Sequence, residues 1–527
     1  MLDTLIKDAL IHDGTGAAPW RGDIGVSGTR IAFVAPGANH NAALTIDASG
    51  LIASPGFIDV HGHSEFSLIA NPEAESKLLQ GVTTEINGNC GFSAAPIYNE
   101  AEEHFQKEFL LHGVKQRWRT FKEHRETLSK AAPAINFATL TGQGNIRASV
   151  LGYKNTAPDS ADMAKMAALL RDSIAHGSIG LSSGLIYSPG VFSTNSELIK
   201  LIKLSGVSSL IYATHMRSEG DALVESIEDT IDVARHTGIK IHLSHLKTAG
   251  RHNWHKIEAV LATIERAVSE GIALTCDRYP YTASQTSLDT ALPDWVYEGG
   301  DEAELARLSN PSDLKRIKAE TAAFRENGSY WHGVLVSSVK TEKNRHLQGR
   351  SIAESAAEKG VQPIDFAIAL LIEERLQVEA IFFSMNEDNL RRILSLPMCM
   401  VGSDSSVRIL SGRNGAPSHA DNPHPRGFGS FPRYLSRYVL SEGLITLPDA
   451  IRKTTGLPAE TFCLKGRGIL REGAYADITL FNVKTIRDTS DYTAPWSAPE
   501  GIEYVLVNGH LAVKEGRPTG TRAGMVL

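Results

Sequence analysis

The chain is poor in cysteine. Four cysteines in 527 residues, Cys90, Cys276, Cys399 and Cys463, form no CxxC pair and no dense framework. That excludes a disulfide scaffold and leaves each thiol to be judged singly. No apolar run approaches the ~20 residues that a membrane-spanning helix needs. The first residues, Met1-Leu2-Asp3-Thr4-Leu5-Ile6-Lys7-Asp8, carry acid where a signal peptide carries positive charge, so a reduced, cytoplasmic setting is expected. There is no basic cluster, and the net charge is -7. Nothing therefore points to nucleic acid or to a membrane as partner. Repeats of fixed period and low-complexity tracts are also missing, which excludes solenoids and arrays.

What remains is an ordinary globular balance, 42% hydrophobic and 21% charged, with ample material for a large core. Residues 1–55 read as short strands separated by turns such as Asp13-Gly14 and Ser49-Gly50. From Gly56 onward strand-like and helix-like runs alternate. The strand candidates after the Gly56 stretch are Gly81–Ile86, Asn136–Thr141, Ser178–Ser182, Leu210–Met216, Lys240–His245, Ala273–Tyr279, Ile381–Ser384 and Met398–Ser403. Helical periodicity lies between several of them, as in Ser160–His176, Asp221–Thr237 and Trp254–Glu270. Repeated βα units over ~400 residues predict an α/β protein, a (β/α)8 TIM-like barrel over residues 56–464. A polar insertion is expected near 289–340, and a long loop near 407–425. The strand texture returns after Lys465, so residues 1–55 and 465–527 are expected to form one small β-sandwich domain from both termini.

Chemistry concentrates where strands end. His61 and His63 follow Gly56-Phe57-Ile58-Asp59-Val60. Residues i and i+2 of a strand point the same way, so both imidazoles face one side of a strand mouth. Metal ligation is favoured over two surface histidines. Cys90 lies in the glycine-flanked turn Asn87-Gly88-Asn89-Cys90-Gly91, where a thiolate suits zinc. His215 and His245 close the runs Leu210–Thr214 and Lys240–Ser244, in consecutive βα units. His242 is the poorer candidate, being assigned to the opposite face. Asp404 follows Met400-Val401-Gly402-Ser403 and reads equally as a general base beside a metal or as a turn or helix cap. Arg217, Lys247, Tyr281, Ser287 and Arg426 stand beside these points, and an arginine fork suits a substrate carboxylate.

Taken together, these stretches resemble the amidohydrolase superfamily, and within it the N-acyl-D-amino-acid deacylases, or D-aminoacylases. The resemblance runs nearly the whole length. It rests on the His61–His63 and Asn89–Ser93 stretches, Gly180-Leu181-Ser182-Ser183-Gly184, Thr214-His215-Met216-Arg217, Ser244-His245, Asp277-Arg278-Tyr279-Pro280-Tyr281, Gly402-Ser403-Asp404 and His424-Pro425-Arg426. It implies a zinc-dependent hydrolase cleaving the amide of small N-acylated amino acids. Cys90, His215 and His245 match the tight zinc site, and His61 and His63 a second, weaker one that is often partly empty. Asp404 matches the general base and acid. Tyr281, Ser287 and Arg426 match contacts to the substrate carboxylate, with Lys247 near it. The chain departs from the pattern at Gln143, where relatives commonly carry histidine, and at Ser405-Ser406 after Asp404; the 407–425 segment is also longer than expected.

Two other readings compete. Cyclic-amide hydrolases of the hydantoinase and dihydroorotase type bridge two metals with a carboxylated lysine from an early barrel strand, and no lysine stands on the strand that delivers Cys90. A non-catalytic scaffold on the same fold has usually lost metal ligands, and here every ligand position is filled.

Overall fold

In this computed structural model residues 1–37, 40–207, 210–324, 330–410 and 421–527 are described. Ten residues of the expected loop at 407–425, and five of the expected insertion at 289–340, lie outside them.

The centre is α/β. Phe57–Asp59, Val82–Asn87 and Asn136–Thr139 pair in parallel. A second parallel run follows in the order Thr141–Gly142, Gly180–Gly184, Ile211–His215, Lys240–Leu243, Leu274–Arg278 and Cys399–Val401. Leu140 joins the runs, its N–H donating to the Asn87 carbonyl at 2.8 Å. The strands are almost wholly buried; every residue of Ile211–His215 and of Val82–Asn87 is buried, as sheets covered on both faces require.

The helices between the strands each present one apolar stripe. Leu223–Thr237 buries Leu223, Ile227, Ile231 and Ala234, three and four residues apart, and stops at Gly238 with φ 73°. Ile257–Ser269 buries Ile257, Val260, Ile264 and Ala267 in the same way. Ser160–Ala175 opens on a reciprocal cap between Asp159 and Asp162. These stripes meet the outer faces of the strands in one continuous cluster that includes Leu181, Tyr212, Ile241 and Cys276.

Ile381–Ser384 is not a strand of this parallel system. Val378–Phe383 is the middle strand of a separate antiparallel sheet, between Ala283–Ser287 and Val334–Val339. That sheet has its own core with the helices Asp301–Ser309, Ile352–Lys359 and Pro363–Glu373. A short apolar strand reads alike in either setting, because local pattern does not encode its partner. The stretch after Gly56, read as a strand ending in two histidines, takes its place in the parallel system as Phe57–Asp59, only three residues long.

Both termini enter one nine-stranded sheet. Leu2–Ile11, Trp20–Ser27, Arg30–Ala35, Ala42–Asp47 and Ile52–Pro55 come from the start of the chain. Ile478–Phe481, Ile502–Val507, His510–Lys514 and Arg517–Pro518 come from its end. The seam is the antiparallel pairing of Ile52–Pro55 with Ile478–Phe481. Among the described residues no helix is long and apolar enough to cross a membrane.

Candidate metal centre

The C-terminal ends of the parallel strands converge on one cluster. His61 and His63 follow Phe57–Asp59; Gly62 pairs with Ser405, and the His61 carbonyl accepts from the Asp404 N–H at 2.7 Å. The loop after Val82–Asn87 brings Cys90, the end of Ile211–His215 brings His215, and the residues after Lys240–Leu243 bring His245. Cys90, His245 and Asp404 all sit at positive φ, 54°, 36° and 53°. Each such non-glycine residue costs of the order of 1–3 kcal/mol, so it persists only where surrounding structure over-determines it. Nine other non-glycine residues among those described share this conformation, so it is the convergence of three of them on one donor cluster that is informative.

The Cys90 turn is pinned by the Gly180–Gly184 strand. Ser182 donates to the Gly88 carbonyl and accepts from the Gly91 N–H. A Cβ on Gly184 would stand 1.9 Å from the Cys90 carbonyl oxygen, so only glycine admits the turn there.

Cys90 Sγ lies 3.3 Å from His61 Nε2 and 3.4 Å from His245 Nε2. Two ligands on a tetrahedral zinc, at the usual Zn–S and Zn–N lengths, stand about 3.5 Å apart. The three donors are therefore already at ligand spacing. His215 packs on His245 with ring centroids 4.5 Å apart, and its ring nitrogens are buried without an aligned hydrogen bond, Nε2 lying 3.7 Å from Glu219 Oε2. Buried nitrogens left bare are costly unless something fills them; with a thiolate and imidazoles converging, that something fits a soft-to-borderline dication. His61 Nε2 also lies 3.6 Å from Asp404 Oδ1, and His63 Nε2 lies 3.2 Å from the same oxygen. His61 thus stands at the junction of two donor groups, His61–Cys90–His245 and His61–His63–Asp404, with His215–Glu219–His245 beside them.

Electrostatics suit a cation. Burial alone would push the Cys90 thiol up, but the imidazoles of His61, His245 and His215 hold it well below its ordinary value. Burial would likewise raise Asp404; the Arg426 guanidinium, with His61 and His63, holds it well below the carboxylate range. Burial would lower His63, yet Asp404 and Cys90 carry it up to about 10. Glu219 is kept ionised against its burial by Lys247, His215 and His245.

A polar layer lies beneath. His61 Nδ1 donates to Asp277 Oδ2 at 3.0 Å, and His242 Nε2 reaches the same oxygen at 2.9 Å. His245 Nδ1 lies 2.8 Å from both Glu219 Oε1 and Lys247 Nζ. Lys77, fully buried, pairs with Asp59 at 2.8 Å and Glu85 at 2.7 Å and donates to Ser403 Oγ and the Ser405 carbonyl. Breaking one side of such a pair costs about 3–5 kcal/mol, because a bare buried charge is left.

The residues proposed for substrate fall into two sets. Arg426 Nη1 lies 2.7 Å from Asp404 Oδ2, and its guanidinium covers the Tyr279 ring at 4.7 Å. Its Nε makes no hydrogen bond, while Nη1 is engaged in the Asp404 ion pair. Lys247 is engaged with Glu219 and His245. Tyr281 packs between Arg433 and the His424 ring, whereas Tyr279, two residues earlier, lies against Arg426 and Lys247. Ser287 stands opposite Glu379 in the antiparallel sheet. Arg217 is committed to the carbonyls of Val191 and Ser193 and braces that loop. Gln143, where relatives commonly carry histidine, donates to Ser193 Oγ and Glu197 Oε1 in a buried polar contact. His242 was assigned away from the site by strand alternation. The alternation ends at Leu243, since His245 has positive φ beyond the strand, and the His242 ring turns inward onto Asp277. Sequence reasoning missed Glu219, Asp277, Tyr279 and Tyr187, whose ring lies 5.0 Å from His215. The signals for Asp277 and Tyr279 were their position at the end of a strand and their place in the Asp277–Tyr281 motif.

The profile of the Amidohydrolase family matches residues 44–271 and 255–513. The N-acyl-D-glutamate deacylase of Alcaligenes xylosoxydans xylosoxydans is 34% identical over 526 residues, covering 100% of this chain and 96% of that protein. Among solved structures, an N-acyl-D-glutamate deacylase from Bordetella bronchiseptica, complexed with zinc and a phosphonate mimic of the tetrahedral intermediate, aligns with TM-score 0.82 and 32% identity over 100% of this chain and 99% of its own. A D-aminoacylase aligns with TM-score 0.83 and 31% identity over the full length of both. By profile, relatives and site geometry together, the chain belongs to the amidohydrolase family, in its D-aminoacylase branch.

Proposed function

We propose that this protein is a zinc-dependent hydrolase that cleaves the amide bond of N-acyl-D-amino acids, releasing a carboxylate and a D-amino acid. The observation that carries this is the Cys90 thiolate at ligand distance from His61 and His245, with the Arg426-paired carboxylate of Asp404 at the rim of the same cluster. Cys90, His215 and His245 are assigned to the tight zinc site and His61 and His63, with Asp404, to the second, weaker one; the 3.3 Å approach of His61 Nε2 to Cys90 Sγ makes His61 a donor shared by both. Zinc bound there supplies a Lewis acid that acidifies water and polarises an amide carbonyl.

The chain's own residues do the rest. Asp404, held ionised by Arg426, takes the proton of the attacking water and returns it to the departing nitrogen. Asp404 Oδ1 stays aimed at the reaction centre through His63 Nε2. Arg426 anchors the substrate carboxylate with its remaining donors, while Tyr279 backs its guanidinium. Lys247, Ser287 and Tyr281 are assigned to the surrounding wall. Glu219 and Lys247 fix the His245 ring.

The frame is read as a (β/α)8 barrel over residues 56–464, with an insertion and a long loop, beside a small β-sandwich domain from residues 1–55 and 465–527. What supports closure is the Gly62–Ser405 pairing between the first and last strands of the two parallel runs. What supports one terminal domain is the Ile52–Pro55 seam with Ile478–Phe481.

A carboxylated lysine bridge finds no support, since Lys77 is engaged with Asp59 and Glu85. The test is a panel of N-acetyl and N-formyl D- and L-amino acids with neutral, basic and acidic side chains, run beside hydantoins. Turnover of the D-amides is expected; turnover of cyclic amides alone would overturn the proposal.

A further inference from the structure

We infer that Asp277 and His242 form a positioning pair that holds His61 as a metal ligand in one tautomer. The inference rests on the zinc reading of the cluster.

The geometry begins with a single oxygen. Asp277 Oδ2 lies 3.0 Å from His61 Nδ1 and 2.9 Å from His242 Nε2. A carboxylate oxygen only accepts, so each ring must place its N–H there. For His61 this puts the proton on Nδ1 and leaves Nε2 as a lone pair, aimed at the point 3.3 Å from Cys90 Sγ where a metal is shared. For His242 it puts the proton on Nε2 and leaves Nδ1 as the acceptor, and the Thr275 hydroxyl, 2.8 Å away, donates to it. The chain Thr275–His242–Asp277–His61 is thereby fixed in one direction, with every proton assigned by the group behind it.

The side chains have no room to rearrange. His61, His242 and Asp277 are fully buried. A Cβ at Gly402 would stand 2.5 Å from His61 Cβ and 2.9 Å from Asp277 Oδ1, so that glycine is where the last strand lets the pair lie side by side. The other oxygen, Asp277 Oδ1, is buried without a hydrogen-bond partner. A carboxylate spent purely on structure would have both oxygens satisfied. One that concentrates its acceptance on a single oxygen, serving a ligand ring and a second histidine, serves the ring's orientation and basicity. Outer partners of metal-bound histidines act in this way, and their loss costs about 10- to 100-fold in metal affinity. His242, which makes no contact with the donor cluster, thereby gains a role.

The test compares the unaltered protein with Asp277→Asn, His242→Gln and the double variant. Zinc dissociation constants come from competition with a chromophoric chelator. Visible spectra of cobalt-substituted proteins report ligand geometry, and thermal midpoints of the zinc-free proteins report folding. Asparagine keeps the shape but replaces a charged acceptor with a neutral one. Asp277→Asn is expected to weaken zinc binding about 10- to 100-fold and to change the cobalt spectrum. His242→Gln has a smaller effect of the same kind, and the double variant is no worse than Asp277→Asn alone, because both act through one contact. Unchanged affinity and spectrum in Asp277→Asn overturn the inference, whatever its thermal midpoint. Should that variant not fold, His242→Gln decides: weaker zinc binding sustains the pair and unchanged binding overturns it. An unaltered protein that binds zinc but cleaves no N-acyl-D-amino acid overturns the proposed function alone.

Discussion

The two sides of the metal cluster differ in their donors and still more in their surroundings. On the inner side, His61 is fully buried and rests on Asp277, Cys90 lies in a turn pinned by Ser182, and His245 rests on Glu219. On the outer side, the side chains of His63 and Asp404 keep 27% and 12% of their exposure, and Asp404 faces Arg426. The inner donors are held by groups that cannot move without leaving a bare charge. The outer pair can exchange partners with solvent or substrate. A hydrolase needs both: a rigid side that keeps its metal and a looser side that passes a proton and releases product.

The largest effect that would break this contrast is expected from Cys90→Ala. Removing the thiolate should abolish tight zinc binding, a loss beyond the about 10- to 100-fold cost of outer-partner changes, and activity should go with it; metal content after dialysis checks this. Asp404→Asn should behave oppositely. Zinc is retained at one tight equivalent, while kcat falls by about 10²- to 10⁴-fold; steady-state kinetics beside metal analysis would show it, and full activity would remove Asp404 from the mechanism.

Arg426→Met sharpens the outer side. Arg426 is the strongest influence holding Asp404 below its ordinary range against burial. Without it the Asp404 carboxyl titrates higher, so the acid limb of the pH–rate profile should move to higher pH, with KM for the carboxylate substrate raised. The gentlest probe is pH itself. In the metal-free protein Asp404 and Cys90 carry His63 to about 10 despite its burial, and Glu219 and Cys90 carry His245 to about 9 against burial and Lys247. A metal must displace these protons, so apparent zinc affinity should rise with pH up to about 9–10; calorimetric titration at several pH values would show proton release.

Much of this was legible before any coordinates. Strand alternation put His61 and His63 on one side, and strand-end position picked out His215, His245 and Asp404. The inner side's supports were not legible. Asp277 and Glu219 look like any acid after a strand, and their meaning lies in contacts with residues 216 and 26 positions away. His242 joins none of the donor groups, as its poorer ranking predicts; only its assignment to the opposite face fails, because alternation does not carry past Leu243 to His245. Tyr279 and Tyr281 share one motif, and only packing separates the one under Arg426 from the one under Arg433. Ile381–Ser384 had strand character, yet its partner strands were antiparallel neighbours outside the parallel system.

The seam between the two ends of the chain has a consequence for the order of biogenesis. Ile52–Pro55 leads directly into Phe57–Asp59 and His61, and its sheet partner lies far downstream; the Ser54 hydroxyl meets the Thr479 carbonyl across 425 residues. At ribosomal speeds of about 5–20 residues per second, the strand that aims His61 waits roughly 20–90 seconds for its mate. A zinc ion that arrives during that interval meets an unfinished claw. Complete assembly of the site therefore comes late, once Ile478–Phe481 has docked on Ile52–Pro55. A chain cut short of Ile478 should emerge with Cys90, His215 and His245 all present and the strand leading to His61 still without its partner.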